Sequence, residues 1–226
     1  MPADDHATIA PAGSGERYLQ GLTASGLRAF NDTFHRLVDE GQLAGVVTLV
    51  ARRGDIVNFD AYGVLDVSAD PTVAVRRDSI FRLASMTKPV IGAAMMMLWE
   101  EGRWGPDDPV ARHIPAFEGL QVKRRDGALE PQASPMTMRQ LMSHTAGFGR
   151  QGDYADAKLR DGDLQAMIDR LARLPLAYQP GTEWRYSPSV DIQGYVVEQL
   201  SGQSLDVFLA ERLFGPLGME DTGFWV

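Results

Sequence analysis

The 226-residue chain carries 22 basic and 30 acidic side chains, a net charge of −8, with 44% hydrophobic residues; at this length such a chain can bury a sizeable core. Its dispersed acidity lacks the basic patch of a nucleic-acid binder, and the absence of cysteine excludes disulfides, thiolate metal sites and cysteine nucleophiles. The start, MPADDHATIAPAGSGERY, has neither the basic nor the apolar segment of a secretory leader, and no run approaches the ~18 apolar residues of a membrane span, so a cytoplasmic protein without a membrane partner is expected.

Residues 1–20 read as a flexible, small-residue lead-in. In SGLRAFNDTFHRLVDEG, Leu27, Phe30, Phe34, Leu37 and Val38 recur at helical spacing, and Gly41 is placed to end the helix. AGVVTLVAR and DIVNFDAYGV are two β-rich runs joined at Arg53-Gly54-Asp55, which predicts a hairpin. The Arg-Gly-Asp triplet needs no adhesion function, because a tight turn explains it. IGAAMMMLWEEG predicts a helix buried on most sides, its methionines serving as packing. PDDPVARHIPAF is proline-punctuated and irregular. TMRQLMSHTAGF reads as a short helix capped by Thr137 and closed near Gly147, and DLQAMIDRLARLP as an amphipathic helix through Leu164, Met167, Ile168, Leu171 and Leu174 that stops at Pro175. VDIQGYVVEQLSG and SLDVFLAERLFG predict two further helices, each ending in Gly at the C′ position, with Ser204 as N-cap of the second.

Several motifs fail their structural context. GFGRQG, Gly147 to Gly152, has the letters of a dinucleotide loop, but a helix precedes it and a polar loop follows, where a strand and a helix are required. The four histidines, His6, His35, His113 and His144, show no metal-ligand spacing. No G-x-S-x-G nucleophile elbow occurs, which argues against a Ser-His-Asp hydrolase.

One short stretch does carry chemistry. In FRLASMTKPV, Pro89 is excluded from a helix interior by its ring and so pins a helix start near Ser85–Lys88. Residues i and i+3 adjoin in either an α or a 3₁₀ turn, which brings the Lys88 amine to the Ser85 hydroxyl. A serine nucleophile needs a base, and a lysine serves when burial or a nearby positive field lowers its pKa; the apolar flanks Phe81, Leu83, Ile91 and the methionines are expected to supply that burial. An N-cap serine beside a solvated lysine has the same four letters, so the spacing alone leaves both readings open.

The blocks SIFRLASMTKPV, DDPVARHIPAF, TMRQLMSHTAGF, PGTEWRYS and GYVVEQLSGQSLDVFLAERLFGPLGMEDTGF, in this order, closely resemble the serine β-lactamase and penicillin-binding-protein superfamily, nearest to its class C-like esterases, the family VIII carboxylesterases. The resemblance covers roughly residues 25–226. It implies an α/β (α+β) fold in which an antiparallel sheet flanked by helices carries a mostly helical subdomain. On this chain that means a first part of the sheet domain with the S-x-x-K helix at 21–100, a helical subdomain at 101–215 and a return towards the sheet at 216–226. It also implies that Ser85 is the acylated nucleophile, Lys88 its base or base partner, and Tyr186 of WRYS the group that relays a proton from Ser85 and later to the leaving group. No metal or organic cofactor is implied, and the substrate is a small ester or amide. His144, in the recurrent SHTAG segment, is read as structural.

Two departures stand out. The family often places Asn or Asp two residues after the tyrosine, to hydrogen-bond the substrate carbonyl; here Pro188 stands there and offers no donor. Ser187 or Ser189 is then the candidate for substrate binding. The family's third motif and its further strands are missing, and the last residues, DTGFWV, are apolar and strand-like. A C-terminal complementing polypeptide or missing C-terminal segment is therefore expected to finish the sheet and supply the second oxyanion donor. Ester hydrolysis is the leading expectation. β-Lactamase, D-amino-acid peptidase or amidase and acyltransferase chemistry are the alternatives on the same residues, and a non-catalytic binding scaffold is the alternative of another class.

Overall fold

The computed structural model describes residues 18–150, 152–154, 159 and 161–224. The lead-in at 1–17 and the two last residues lie outside them. The chain divides into two compact units, Met1–Phe81 and Arg82–Val226.

The first unit starts with β1 (Tyr18–Leu19) and β2 (Leu22–Thr23), an antiparallel pair. The Thr23 hydroxyl then accepts the Gly26 N–H at 3.0 Å and caps α1, Ala24–Asp39. The hairpin follows as predicted, with β3 (Gly45–Arg52) antiparallel to β4 (Asp55–Gly63). Arg53 and Gly54 both take positive φ, 55° and 88°, the backbone that a two-residue hairpin turn demands.

The face of α1 differs from expectation. None of its residues is buried, and Phe30 is 37% exposed. Leu27, Phe34, Leu37 and Val38 are half-buried, and polar side chains also bind the helix to the hairpin. The Asn31 and Asn58 amides exchange hydrogen bonds at 3.0 and 2.9 Å. His35 Nε2 lies 2.6 Å from Asp60, its ring stacks on Tyr62 at 4.0 Å, and the Tyr62 hydroxyl donates to Asp39 at 2.9 Å. The apolar period found the helix but not these polar contacts.

The second unit is built round an apolar core. A 3₁₀ turn, Ala84–Thr87, runs into α2, Lys88–Glu100, with Pro89 in its first turn. Ile91, Ala94, Met95 and Leu98 are buried, while Met96 and Trp99 are 41% and 42% exposed. The helix is thus buried along one stripe rather than on most sides, because residues i, i+3/4 and i+7 share a face.

Two 3₁₀ turns, Val110–Arg112 and Pro115–Phe117, and the small pair β5 (Val122–Lys123) with β6 (Leu129–Glu130) lead to α3, Met138–Met142. Thr137 and Gln140 form a reciprocal capping box at its start. The chain leaves α3 through Ser143 and turns at His144, whose φ is 59°; the helix therefore ends before Gly147. Asp163 caps α4, Leu164–Leu171, whose Met167, Ile168 and Leu171 are buried. α5, Ser189–Ser201, is the most enclosed element, and its buried Gln193 donates to the Leu141 carbonyl at 3.2 Å. Gly202 ends α5 in the left-handed region at φ 74°. α6, Leu205–Leu209, continues into a π turn, Ala210–Phe214. Ser204 sits at its N-cap without a side-chain cap bond, and Gly215 keeps a right-handed φ of −57°, so the second predicted glycine stop is not a left-handed one. Full burial of side chains such as Phe148, Ile168 and Phe208 contributes about 1.5–3 kcal/mol each. The described part of DTGFWV is turn and bend, not strand. Among the described residues no helix is long and apolar enough to cross a membrane.

Candidate active site

Three segments of the second unit converge. The 3₁₀ turn contributes Ser85, the first residue of α2 contributes Lys88, and the extended run ahead of α5 contributes Tyr186. Lys88 donates its backbone N–H to the Ser85 carbonyl, so one local turn presents both side chains on the same side. Lys88 Nζ donates to Ser85 Oγ at 3.0 Å. Tyr186, 101 residues further along, donates its hydroxyl to the same oxygen at 2.8 Å. The ammonium also lies 4.6 Å from the centre of the Tyr186 ring, within range for a cation–π contact. The three residues singled out from the sequence thus meet at one oxygen.

The electrostatics favour ionisation of the phenol. Hydrogen bonding by Lys88 foremost, then that of Ser85, together with the lysine charge, holds Tyr186 below the ordinary phenol value of 10.0; desolvation and Asp191 oppose this. A phenolate next to a serine hydroxyl is a proton acceptor in place. The expected apolar burial is only partly present. Ile91 is 3% exposed, but Phe81 and Leu83 are 45% and 39% exposed and Ser85 is open to solvent. What distinguishes Lys88 is its two partners, not an apolar shroud.

Ser85 and Lys88 open on a cavity of about 850 Å³, whose lining includes Leu164, Met167, Pro188 and Phe224 and the carboxylates of Asp163, Asp191, Glu198 and Asp206. Two of these carboxylates cap helices: Asp163 accepts the Ala166 N–H at 2.8 Å and Glu198 the Leu205 N–H at 2.9 Å. Tyr186 faces a second cavity of about 460 Å³ with Arg150, Gly152, Trp184 and Arg185.

Ser187 and Ser189 lie elsewhere. They are 6% and 0% exposed, and their hydroxyls bond each other at 2.8 Å. Ser187 Oγ is also 3.2 Å from His144 Nδ1. Sequence reading did not bring His144 to the site. Its ring stacks on Tyr186, centroids 5.2 Å apart and 18° from parallel, although His144 and Ser187 are 43 positions apart. The one signal was SHTAG itself, which says nothing of its partner.

The family model described as Beta-lactamase matches residues 30–226. The chain is 37% identical over 216 residues to esterase EstB of Burkholderia gladioli, a match covering 90% of this chain and 53% of that one. Among solved structures it is similar to EstCE1, described as a hydrolase with promiscuous acyltransferase activity, with a TM-score of 0.73 and 31% identity over 84% of this chain and 51% of the other. Simvastatin synthase from Aspergillus terreus, 24% identical with a TM-score of 0.70 over 85% of this chain and 51% of its own, shares the fold. The chain spans about half the length of these relatives. The family match runs through the S-x-x-K turn and on past Tyr186, the residues that meet at the Ser85 oxygen, and on that ground the chain belongs to the Beta-lactamase family.

Proposed function

We propose that the protein carrying this chain is a serine hydrolase of carboxylic esters that works through an acyl-enzyme on Ser85. The observation that supports it most is the approach of Lys88 Nζ and Tyr186 Oη to Ser85 Oγ, at 3.0 and 2.8 Å. With Tyr186 as phenolate, the Ser85 proton passes to it while Oγ attacks the ester carbonyl carbon. The tetrahedral intermediate collapses, Tyr186 returns the proton to the departing alkoxide, and the alcohol leaves. Water then attacks the acyl carbon, losing its proton to Tyr186, which passes it to Ser85 Oγ as the acyl C–O bond breaks and the carboxylic acid leaves. Lys88, bonded to Ser85 and beside the phenol, keeps the phenolate favoured. In this scheme the Ser85 N–H is one oxyanion donor; the second belongs to a part of the protein beyond this chain.

Esters are preferred over β-lactams and D-alanyl peptides for two reasons. Pro188 supplies no donor for a substrate amide, and the cavity at Ser85 is lined by four carboxylates, unfavourable neighbours for substrates that carry one. Transfer to an alcohol instead of water is the second reading. It is supported by the acyltransferase activity attributed to EstCE1 and by the cavity beside Tyr186, where an acceptor would meet the general base. A fluorophosphonate probe with intact mass analysis is expected to leave one adduct, on Ser85, absent in Ser85→Ala. A folded protein that takes no adduct would instead be a binding scaffold. Faster turnover of a chromogenic cephalosporin or a D-alanyl amide than of a short-chain nitrophenyl ester would reverse the substrate ranking.

We further propose that strands from the remainder of the protein complete the sheet begun by β3 and β4. Leu49 and Ile56 of this hairpin are 52% and 60% exposed, and a two-stranded ribbon is marginal alone. Residues 1–226 by themselves should melt broadly and hydrolyse esters poorly, and gain both cooperativity and rate with the remainder present, which binds only the folded form. A sharply melting, fully active 226-residue monomer refutes this.

A further inference from the structure

We infer that His144 is the positioning residue of Tyr186: with Nδ1 free of a proton it anchors the backbone on both sides of Tyr186 and one face of its ring, and gaining that proton releases the tyrosine from Ser85.

Three contacts carry this. The His144 carbonyl accepts the Arg185 N–H at 3.1 Å. Its Nδ1 accepts the Ser187 N–H at 3.2 Å. Its ring stacks on the residue between them. A backbone N–H only donates, so Nδ1 is an acceptor, and the neutral imidazole carries its proton on Nε2. The left-handed backbone of His144, φ 59°, is uncommon for a side-chain-bearing residue, though histidine and asparagine are enriched there. It directs carbonyl and ring to the same segment. Tyr178 locks the arrangement from behind, its hydroxyl donating to the same carbonyl at 3.1 Å.

The groups round the ring decide the pH at which the anchor fails. Burial first and the Lys88 charge from α2 second hold His144 below its ordinary 6.5, against Asp191 from α5. Tyr186 and Tyr178 also face it. Arg185 is held by Glu183 at 2.8 Å and lies over the Tyr178 ring at 5.0 Å. A protonated Nδ1 can donate only to Ser187 Oγ, 3.2 Å away, and no longer accepts the Ser187 N–H, so the backbone beyond Tyr186 loses its anchor. The tyrosine should therefore lose its place as pH falls through a value below 6.5.

The kinetic arm of the test rests on the proposed ester hydrolysis; the spectroscopic arm does not. In the full protein with its tyrosines labelled at carbon ζ and Tyr186 assigned through Tyr186→Phe, the Tyr186 resonance should shift in one acid step below pH 6.5. His144→Asn keeps an acceptor near the Nδ1 position and tolerates the backbone. It should abolish that step and leave the alkaline titration of Tyr186 in place. His144→Phe keeps an aromatic face but no acceptor. It should move the alkaline titration of Tyr186 back up towards 10 and lower kcat for a nitrophenyl ester by about 10–100-fold, with KM within about twofold. His144→Asn should retain most of kcat above pH 6.5 and lose only the further fall in rate below it, the step due to Tyr186 remaining; it also carries the test if the Phe variant does not fold. A Tyr186 signal indifferent to acid and to both substitutions overturns the inference, as does a fall in rate below pH 6.5 that is unchanged in His144→Asn. If the parent hydrolyses no ester while Tyr186 still answers to His144, the ester reading fails and the positioning role stands.

Discussion

Lys88→Ala and Tyr186→Phe should each lower the rate of Ser85 acylation by about 10²–10⁴-fold, the usual worth of a positioned acid–base group, and the double variant should be little worse than either alone. The reason lies in the shared geometry. Lys88 hydrogen-bonds Ser85 at 3.0 Å and is the largest cause of the lowered phenol value of Tyr186, so removing the lysine also disables the tyrosine. Groups that act as one unit do not contribute separable factors. The effect should fall on kcat/KM for acylation, read from the burst of nitrophenol or the rate of probe labelling. The pH profile supplies the sign. A phenol whose ionisation is favoured is the working base above its pKa, so acylation should rise with pH through a step lying below 10. Lys88→Ala should move that step upward and Tyr186→Phe should erase it. Multiplying losses in the double variant would show that the lysine and the tyrosine act independently, and parent-like turnover in Tyr186→Phe would leave the tyrosine a structural residue only.

Gly147→Ala should destabilise the second unit by about 2–4 kcal/mol, combining backbone strain with overpacking. Gly147 has φ 102°, a conformation that residues with a Cβ rarely adopt. An added Cβ would stand 2.8 Å from the Tyr178 carbonyl oxygen and 3.1 and 3.3 Å from Leu176 side-chain carbons. The near neighbour is backbone, fixed further by the bond from the Ala177 N–H to the Gly147 carbonyl at 2.8 Å, so it cannot swing aside as a flexible side chain would. The consequence reaches the site. Tyr178 holds the His144 carbonyl, and His144 lies against Tyr186. The urea midpoint should fall, and the remaining folded fraction should acylate more slowly than the parent. An unchanged midpoint would mean that this loop relaxes freely, and the packing account of Gly147 would have to be abandoned.

Features set by local rules are legible in the residues alone. Ser85 and Lys88 share a turn because three residues make one, and Pro89 fixes where that turn begins. Thr137 marks a helix start by residue type, and the structure completes it with Gln140 as a capping box. The two-residue turn at Arg53-Gly54 follows from residue type. Errors arise where a period is asked to report a partner. The helical recurrence of Leu27, Phe34 and Leu37 finds α1, but Asn31 and His35, on intervening positions, make its polar contacts with the hairpin. The run of methionines promises enclosure, but Met96 projects where Met95 is buried.

The residue order sets the chemistry available: a hydroxyl and an amine one turn apart, no thiol, and a tyrosine in a segment whose order with the others resembles one superfamily. Which of these groups meet depends on the packing of the folded chain. It brought Tyr186 across 101 positions to Ser85, buried Ser187 and Ser189, and set His144 against the tyrosine. Spacing along a chain constrains neighbours within a turn or a strand pair. Contacts between distant segments depend instead on how whole helices bury their apolar stripes, and that packing moves the side chains at their ends as rigid passengers.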